Sequence, residues 1–315
     1  MPDVPVSDDW KGTLADLDDR RSAGRSMGGE ARLAKHHGQG KLDARARVDT
    51  LLDPGSFHEL GTLAGGRDAP ADAIVLGSGR IGGRPVIVAA EDFTVLAGTI
   101  SHTSNSKRYR AAELAVTDRV PLVMMLDGAG FRADGKVYGR TPTDMLAQAR
   151  CSGRVPLVTA VLGSSAGHGA LVAPISDFAV MSAHGAIFTA GPPVVKESLG
   201  ETVTKEELGG PAIAVASGLI HNVGADDAAT LDLVRLYLSY FPSSAWSYPP
   251  DYVHDDTEPR LVPEILDIIP RDGRRVYDMR DVIDVVVDQS SWFEVQPDFG
   301  RTVVCALAHL GGHPV

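Results

Sequence analysis

Cysteine is scarce in this chain, and the scarcity excludes two kinds of site. Only Cys151 and Cys305 occur among the 315 residues, and they form no C-x-x-C pair. A disulfide framework and a cysteine-rich zinc site are therefore excluded, and the composition fits a reducing compartment. Histidines and carboxylates also lack the spacing of metal ligands, so the sequence predicts no metal site.

Long apolar runs and an excess of positive charge are absent too. No stretch approaches the roughly 18 uninterrupted apolar residues that read as a membrane span, and residues 1–25 lack the apolar core of a signal peptide. The formal net charge of −11 argues against nucleic acid or an anionic membrane as the main partner, although a local basic patch could bind a phosphate. With 23% charged and 43% hydrophobic residues, the chain is predicted to be a soluble, cytoplasmic globular protein.

Two parts of the chain repeat each other, and an internal repeat is the most informative feature that is present. Residues 48–60 read VDTLLDPGSFHEL, and residues 283–295 read IDVVVDQSSWFEV. Each is followed by a strand-like segment with a similar ending, GRIGGRPV at 79–86 and AHLGGHPV at 308–315. We interpret the chain as one complete copy of a duplicated unit and the start of a second copy, which stops before any glycine turns of its own.

Apolar and helical patterns alternate through the first copy. In order they predict a hairpin at 74–90 with Gly82-Gly83 as its turn, a helix at 105–118, a strand at 120–126, a helix at 141–152 and a strand at 155–162. This alternation is typical of crossover connections in a largely parallel sheet, so the predicted fold class is α/β. The predicted divisions are a first domain at 1–245, a linker at 246–270 and the start of a second domain at 271–315.

Two predicted strands run into glycine-rich turns, Asp127-Gly128-Ala129-Gly130 and the segment from Gly163 to Ala170. Each turn precedes a helix-like segment, where unpaired backbone N–H groups and partial positive charge attract an anion. Such donors bind a phosphate in some proteins and form an oxyanion hole in others. For a single turn, close packing of a helix on a strand explains the glycines equally well.

The second turn also matches the G-x-S-x-G pattern of a hydrolase nucleophile, with Ser165 at its centre. His221, His254 or His309 would then supply the catalytic histidine, whereas His168 is interpreted as a turn residue. A serine esterase is therefore one alternative function.

Several segments, taken in order, resemble one protein family. The most specific is GKLDARARV at 40–48, which continues as LLDPGSF at 51–57. Shorter matches follow: EDFTV at 91–95, GPPVVK at 191–196, VTKEELGG at 203–210, SG at 217–218 and YDMRDVI at 277–283. From about residue 40 to residue 315 the chain resembles the β subunits of biotin-dependent acyl-CoA carboxyltransferases, of the propionyl-, acetyl- and methylcrotonyl-CoA carboxylase type.

The resemblance implies a crotonase-type fold made of ββα superhelical turns, with two such halves in one chain. It implies a carboxyltransferase subunit of an acyl-CoA carboxylase, in which the first half binds an acyl-CoA thioester and the second binds carboxybiotin. Biotin would be carried by a biotinylated partner subunit, and the working site would form between halves of different subunits in a homo- or hetero-oligomer. In this family the biotin ureido anion is thought to act as the base, which fits the absence of an obvious acid–base pair.

Both glycine turns contribute to the predicted site. The backbone oxyanion hole for the enolate, where one donor is typically worth roughly 3 kcal/mol, is predicted at Gly167, His168, Gly169 and Ala170. The predicted substrate-binding residues are Gly128, Ala129, Gly130, Phe131, Lys107 and Arg108. The last two belong to the basic segment KRYR at 107–110, which is either an exposed helix face or a contact for a ligand phosphate.

Three segments depart from the family's usual sequence. The second turn reads Gly167-His168-Gly169 where Ala-Gly-Gly is usual, and the first reads GAGFR at 128–132 where Gly-Gly-Ala-Arg is usual. No histidine follows ELGG at 207–210. Besides the esterase, two alternatives stay open: a decarboxylase subunit of the same fold, and a catalytically silent CoA-binding assembly subunit. The sequence does not determine the acyl group or the direction of the reaction.

Overall fold

The computed structural model describes residues 8–67, 69–133, 143–252 and 260–315. In these ranges the α-helices are α1 (Asp8–Arg25), α2 (Glu30–His37), α3 (Ala44–Leu51), α4 (His102–Asp118), α5 (Asp144–Ala149), α6 (Pro192–Leu199), α7 (Lys205–Gly209), α8 (Pro211–Ala216), α9 (Asp227–Tyr240), α10 (Ile265–Ile268) and α11 (Met279–Val286). The strands are β1 (His58–Leu60), β2 (Ile74–Ile81), β3 (Arg84–Glu91), β4 (Leu122–Gly128), β5 (Leu157–Ala166), β6 (Phe178–Ser182), β7 (Ala186–Phe188), β8 (Asn222–Gly224), β9 (Phe293–Val295), β10 (Cys305–Leu307), β11 (His309–Leu310) and β12 (His313–Pro314). Two 3-10 helices span Leu96–Gly98 and Gly167–Ile175. None of the described helices combines the length and apolar character needed to cross a bilayer.

The main sheet has eight strands and is mostly parallel. Its order is β1-β2-β3-β4-β5-β6-β8, and β7 pairs with the end of β5. The first three strands are antiparallel neighbours, whereas every later pairing in the sheet is parallel. The predicted α/β class with a largely parallel sheet is therefore confirmed.

Strand β4 is buried on both faces because helices cover both sides of the sheet. Leu122 and Met124 belong to the apolar cluster that includes α4, while Val123 and Met125 belong to the cluster that includes α3 and α9. All four side chains are fully buried. A continuous apolar run, rather than an alternating one, is the sequence pattern of such a strand.

The predicted elements agree with the observed ones except at their ends. The hairpin consists of β2 and β3, with Ile81 opposite Arg84 across the glycine turn. Helix α4 begins three residues before the prediction, because the side chain of Ser101 accepts a hydrogen bond from the Ser104 N–H and caps it. Strand β5 extends to Ala166 because its last residues pair with β7. The first residues of the helix predicted at 141–152 lie outside the described residues.

The second copy reproduces the hairpin contacts of the first. The Asp53 carboxylate accepts hydrogen bonds from the N–H groups of Gly82-Gly83 at 3.0 and 2.7 Å. The Asp288 carboxylate accepts them from Gly311-Gly312 at 2.8 and 2.7 Å. The matching sequence segments thus form matching atomic contacts.

Ion pairing and strand register repeat as well. The Arg45 guanidinium donates two hydrogen bonds to Glu59 in the first copy, and that of Arg280 donates two to Glu294 in the second. These glutamates lie at equivalent positions of two antiparallel strand pairs, β1–β2 and β9–β10. The interpretation of residues 277–315 as the start of a second copy is supported by these contacts.

The second copy packs against β8, α9 and the first residue of β6. The Tyr240 hydroxyl donates to the Ser291 carbonyl oxygen at 2.5 Å, and the Asn222 side-chain amide donates to the Glu294 backbone carbonyl oxygen at 3.0 Å. The rings of Phe178 and Phe293 meet edge-on with centroids 5.9 Å apart. The described part of the predicted linker contains α10, and the two predicted boundaries between the three segments stay predictions.

Candidate active site

Both glycine turns lie at one edge of the sheet and touch each other. Strands β4 and β5 are parallel neighbours, so their carboxyl ends meet at the same edge, where Gly128 is paired with Ser165. Gly130 has a φ of 85°, and a Cβ atom there would lie 2.9 Å from the Ala166 carbonyl oxygen. Glycine at this position therefore allows the two turns to come into contact.

The second turn offers free donors and little room for a side chain. It opens the 3-10 helix Gly167–Ile175, whose first N–H groups have no partner within the helix and carry partial positive charge. A Cβ atom on Gly169 would lie 3.2 Å from Glu91 Oε1 and 3.4 Å from Ile100 Cδ1. The geometry suits close approach of an anionic oxygen, and the oxyanion role of Gly167–Ala170 stays a prediction.

The first turn rests on a left-handed segment, Leu96-Ala97-Gly98. Their φ angles are 49°, 56° and 65°, and two of the three residues have side chains that disfavour this conformation. The Ala129 N–H donates to the Ala97 carbonyl oxygen at 2.9 Å, and the Ile100 N–H donates to that of Gly130 at 2.7 Å. Strained backbone of this kind is found most often at ligand-binding and catalytic sites.

A cavity of about 580 Å³ borders the left-handed segment. Leu96, Ala97 and Thr99 form part of its wall, and α2 lies across from them. Its volume is in the range of small-molecule sites. The cavity thus adjoins the first glycine turn, whose backbone is bonded to Ala97.

Cationic side chains surround this cavity. Arg32 and Lys35 come from α2, and Arg132 is held by hydrogen bonds to Thr99 and by an ion pair with Asp72 at 2.7 Å. Burial lowers the pKa of His36, which also lines the cavity, so the two arginines and the lysine carry the positive charge. In a chain of net charge −11, this cluster is suited to an anionic ligand.

Beneath the turns lies a chain of charged groups that we call the Arg108 network: Glu91, Arg108, Asp144 and His168. Arg108 donates from Nη1 to Glu91 Oε1 at 2.7 Å and from Nε to Asp144 Oδ2 at 2.6 Å. His168 Nε2 lies 2.5 Å from Asp144 Oδ1. Burial raises the pKa of Glu91. Burial alone would raise the pKa of Asp144 too, but its contacts with His168 and Arg108 outweigh this and lower it.

A second network, the Arg47 network, consists of Arg47, Asp127 and Asp227. Arg47 donates to Asp227 at 2.8 Å, to Asp127 at 3.0 Å and to the Leu162 carbonyl oxygen at 2.9 Å. All three charged side chains are buried. The Asp127 N–H donates to Glu91 Oε2 at 3.0 Å, so the two networks meet at the carboxyl end of β4.

Lys107 and Arg108 are buried, so an exposed helix face is the wrong interpretation for these two residues. Helix α4 turns them towards the sheet, where the Lys107 ammonium donates to the carbonyl oxygens of Ala71 and Ile74 at 2.6 and 2.8 Å. Burial lowers the pKa of Lys107 to about 8. Direct contact of either residue with substrate stays a prediction, which these contacts do not support.

Phe131 is 71% exposed, beside the bridge that joins it to Ile100. The ring is therefore accessible next to the first turn, and its contact with substrate stays a prediction.

Ser165 lies inside the protein rather than at an accessible elbow. Its side chain is fully buried, and its hydroxyl has no hydrogen-bond partner among the described residues. His221 accepts the Ala179 N–H, His309 stacks on tyrosine rings, and His254 lies outside the described residues. The serine esterase alternative therefore lacks an activated, accessible nucleophile in the described structure.

Sequence reasoning missed Glu91, Asp144 and Arg132. Glu91 ends the apolar run of β3, and a carboxylate at the carboxyl end of a buried parallel strand is a signal that could have been used. Asp144 and Arg132 give no comparable local signal, because their partners are far away in the sequence.

Residues 35–315 match the carboxyl transferase domain family. The chain belongs to this family. It is similar to the methylmalonyl-CoA carboxyltransferase 12S subunit of Propionibacterium freudenreichii subsp. shermanii, with 34% identity over 99% of this chain and 62% of that protein. It is also similar to the biotin-dependent 3-methylcrotonyl-coenzyme A carboxylase beta1 subunit of Mycobacterium tuberculosis, with 35% identity over 98% of this chain and 61% of that protein.

The fold is similar to the crystal structure of transcarboxylase 12S, a hexamer solved with hydrolyzed methylmalonyl-coenzyme A bound. The TM-score is 0.90 at 33% identity, over 99% of this chain and 64% of that one. The predicted family resemblance and the crotonase-type fold that it implied are confirmed. This carboxyl transferase domain chain spans about three fifths of the length of these relatives.

Proposed function

We propose that this chain is the acyl-CoA-binding part of a carboxyltransferase, which moves a carboxyl group from carboxybiotin to the α (or vinylogous) carbon of an acyl-CoA. The observation that carries the proposal is the contact between two glycine turns beside a cationic cavity. Membership of the carboxyl transferase domain family supports the same chemistry. Biotin would be carried on a partner protein. One relative is named as a biotin-dependent carboxylase subunit, which supports the use of biotin.

The cavity and the turns divide the work of binding the thioester. The phosphates of coenzyme A would lie against Arg32, Lys35 and Arg132 around the cavity. The thioester carbonyl would then reach the turn at Gly167–Ala170, where backbone N–H groups stabilise the oxygen that becomes negative in the enolate. The strained Ala97 backbone holds the first turn in place, and Gly130 of that turn packs against Ala166 at the start of the second turn.

Biotin supplies the carboxyl group when it is bound, but the second-copy hairpin does not fit its ureido ring. The glycine N–H groups of Gly311-Gly312 already donate to Asp288, so this pair is not free to bind a ureido oxygen. We therefore propose that a partner subunit or a further segment provides the groups that face biotin, within a homo- or hetero-oligomer.

The proposal includes a cytoplasmic location. It is supported by the free state of both cysteines, buried Cys151 and exposed Cys305, which suits a reducing compartment.

Calorimetry with CoA and with propionyl-CoA, in the absence of any biotin partner, tests the binding step. Wild-type chain should bind both, whereas Gly169→Val should abolish productive binding, because its side chain would press on Glu91 and Ile100. Gly273→Val is the matched control, since a Cβ atom there meets nothing within 4 Å. No binding by the wild-type chain, or unchanged binding by Gly169→Val, contradicts the proposed site.

Carboxyl transfer from free carboxybiotin tests the need for further groups. We expect the chain alone to bind acyl-CoA but to transfer no carboxyl group at an appreciable rate, because the described second-copy residues offer no free glycine pair. Turnover comparable to that of an intact two-copy enzyme would show that the biotin site is built elsewhere in this chain.

A further inference from the structure

His168 and Asp144 form a dyad at the start of the second glycine turn. Their nitrogen and oxygen atoms are 2.5 Å apart. The Asp144 side chain is fully buried, whereas that of His168 is 30% exposed. One end of the dyad is thus fixed inside the protein, and the other reaches the surface next to the turn.

The direction of the hydrogen bond follows from the surroundings of Asp144. The lowered pKa of this carboxyl keeps it ionised, so it accepts and the His168 Nε2–H donates. In the neutral imidazole this donation leaves the lone pair on Nδ1, which has no partner among the described residues. A neutral imidazole oriented by a buried carboxylate is the usual arrangement of a general base.

Two further groups hold Asp144 in position. Arg108 Nε donates to its second oxygen at 2.6 Å, and the Gln148 side chain lies 3.5 Å from the same oxygen. Arg108 is in turn bonded to Glu91, whose carboxylate lies directly under Gly169. The Arg108 network therefore connects the orientation of the imidazole to the backbone of the turn.

His168 is also part of the turn itself. It lies between Gly167, where the two turns touch, and Gly169, where a side chain would not fit without displacing Glu91 or Ile100. The imidazole therefore starts from the same short segment whose N–H groups would bind the thioester oxygen.

We propose that His168 is a general base for the α-proton of a bound acyl-CoA, so that the chain exchanges this proton with solvent without biotin. The α C–H bond breaks, and its proton goes to His168 Nδ1. The electron pair forms the enolate, whose oxygen is bound by the turn amides. After the imidazolium exchanges its proton with water, return of a proton to the α carbon restores the thioester. Nothing is oxidised or reduced. The inference rests on the proposed acyl-CoA site and adds an activity to it.

Incubation of the full chain with propionyl-CoA in heavy water, with no biotin present, tests the inference. We expect mass spectrometry to show α-deuterium appearing faster than in buffer. His168→Gly should slow this exchange by about 100-fold or more, in the range that general bases contribute. Added imidazole should restore part of the rate to His168→Gly. Asp144→Asn should slow the exchange about 10-fold without rescue by imidazole, because its histidine is present but no longer oriented.

Exposed His58, on edge strand β1, provides the matched control: His58→Gln should exchange at the wild-type rate. Circular dichroism should show the folded state of each variant. Calorimetric binding of propionyl-CoA without exchange would overturn the inference alone, as would equal exchange by wild type and His168→Gly. Absence of binding would overturn the proposed function, and the inference with it.

Discussion

The two buried arginine networks are alike in composition and different in where they end. Arg47 and Arg108 each bridge two carboxylates, and all of these charged side chains are at most 2% exposed. The Arg47 network ends on the Leu162 carbonyl oxygen and the Leu42 N–H, and Asp127 also lies 3.8 Å from Lys41 and from His36, which are 13% and 5% exposed. The Arg108 network ends on partly exposed His168, beside the glycine turns.

This difference indicates what each network does. A buried charge must be paired, and a network whose side chains all stay nearly buried serves mainly to join elements of the fold. A network that opens onto a cleft through a titratable side chain can also act on a ligand. We therefore interpret the Arg47 network as structural and the Arg108 network as both structural and functional.

The largest expected effect on stability comes from breaking the Arg47 network. Arg47→Met should lower the free energy of unfolding by about 4 kcal/mol, because it removes the nearest cation from the buried carboxylates of Asp127 and Asp227. Urea denaturation measures the loss. Arg110→Met is the control, since Arg110 forms an exposed pair with Glu113 and should change stability by less than about 1 kcal/mol. A loss no larger than that of the control would refute the structural interpretation.

Breaking the Arg108 network should lower stability less than breaking the Arg47 network, but it should impair the proton exchange more. Arg108→Met should lower the free energy of unfolding by about 3 kcal/mol, since Glu91 can take a proton when its partner is removed. It should also slow deuterium exchange into propionyl-CoA, whereas the folded fraction of Arg47→Met should retain exchange. If both variants keep the full exchange rate, the distinction between the networks is wrong.

Lys107, which precedes Arg108 in α4, should make the stability of the protein depend on pH. Burial lowers its folded-state pKa from 10.5 to about 8, so the unfolded state binds more protons between these values. Stability from this residue is therefore gained as pH rises, by roughly 2 kcal/mol between about pH 8 and about pH 10. Denaturation across this range should show the gain in wild type and in the exposed control Lys196→Met. Lys107→Met should lack it, and an identical pH profile would contradict the assignment.

Glu91 should have the opposite effect at acidic pH, where its contribution to stability falls as pH rises. Burial raises its folded-state pKa above the ordinary 4.5, so the stability that it contributes is complete below that value. This contribution is lost as pH rises through the folded-state pKa. Glu91→Gln keeps the shape without titrating, and its stability should therefore improve relative to wild type as pH rises above 4.5. Exposed Glu113→Gln should show no such trend, and a parallel trend in both variants would remove Glu91 as the cause.

The smallest effect is expected at Ser165, which neither network uses. Ser165→Ala should leave propionyl-CoA binding within a few-fold of wild type, because it removes only a buried hydroxyl without a partner in the described structure. A fluorophosphonate probe should not label the wild-type chain. Stoichiometric labelling that is lost on heat denaturation would instead favour the esterase.

Much of the fold could be predicted because its signals are local. The apolar run of β4 and the glycine pair of the β2–β3 hairpin lie within a few residues of the structure that they specify. The turns after β4 and β5 could likewise be recognised from glycine at strand ends. Their contact could not, because it depends on pairing between strands joined by a long crossover.

The side-chain part of the site was harder to predict for the same reason. Lys107 and Arg108 precede Ala111, Ala112 and Ala115 at helical spacing, and this small-residue face is the one that α4 buries. That pattern was a usable signal against an exposed basic face. Nothing near Asp144 in the sequence indicates that it lies between Arg108 and His168.

By itself, the sequence determined the duplicated hairpins of this protein, because the same residue pattern occurs twice and Asp53 and Asp288 each bind a glycine pair. It also determined the buried strands and the family to which the chain belongs. Only the tertiary structure decided that the two turns touch, that the basic helix face is buried, and that His168 is backed by a buried carboxylate. These features depend on residues far apart in the chain, and their positions are fixed only when the sheet aligns its strands and the helices pack on its faces.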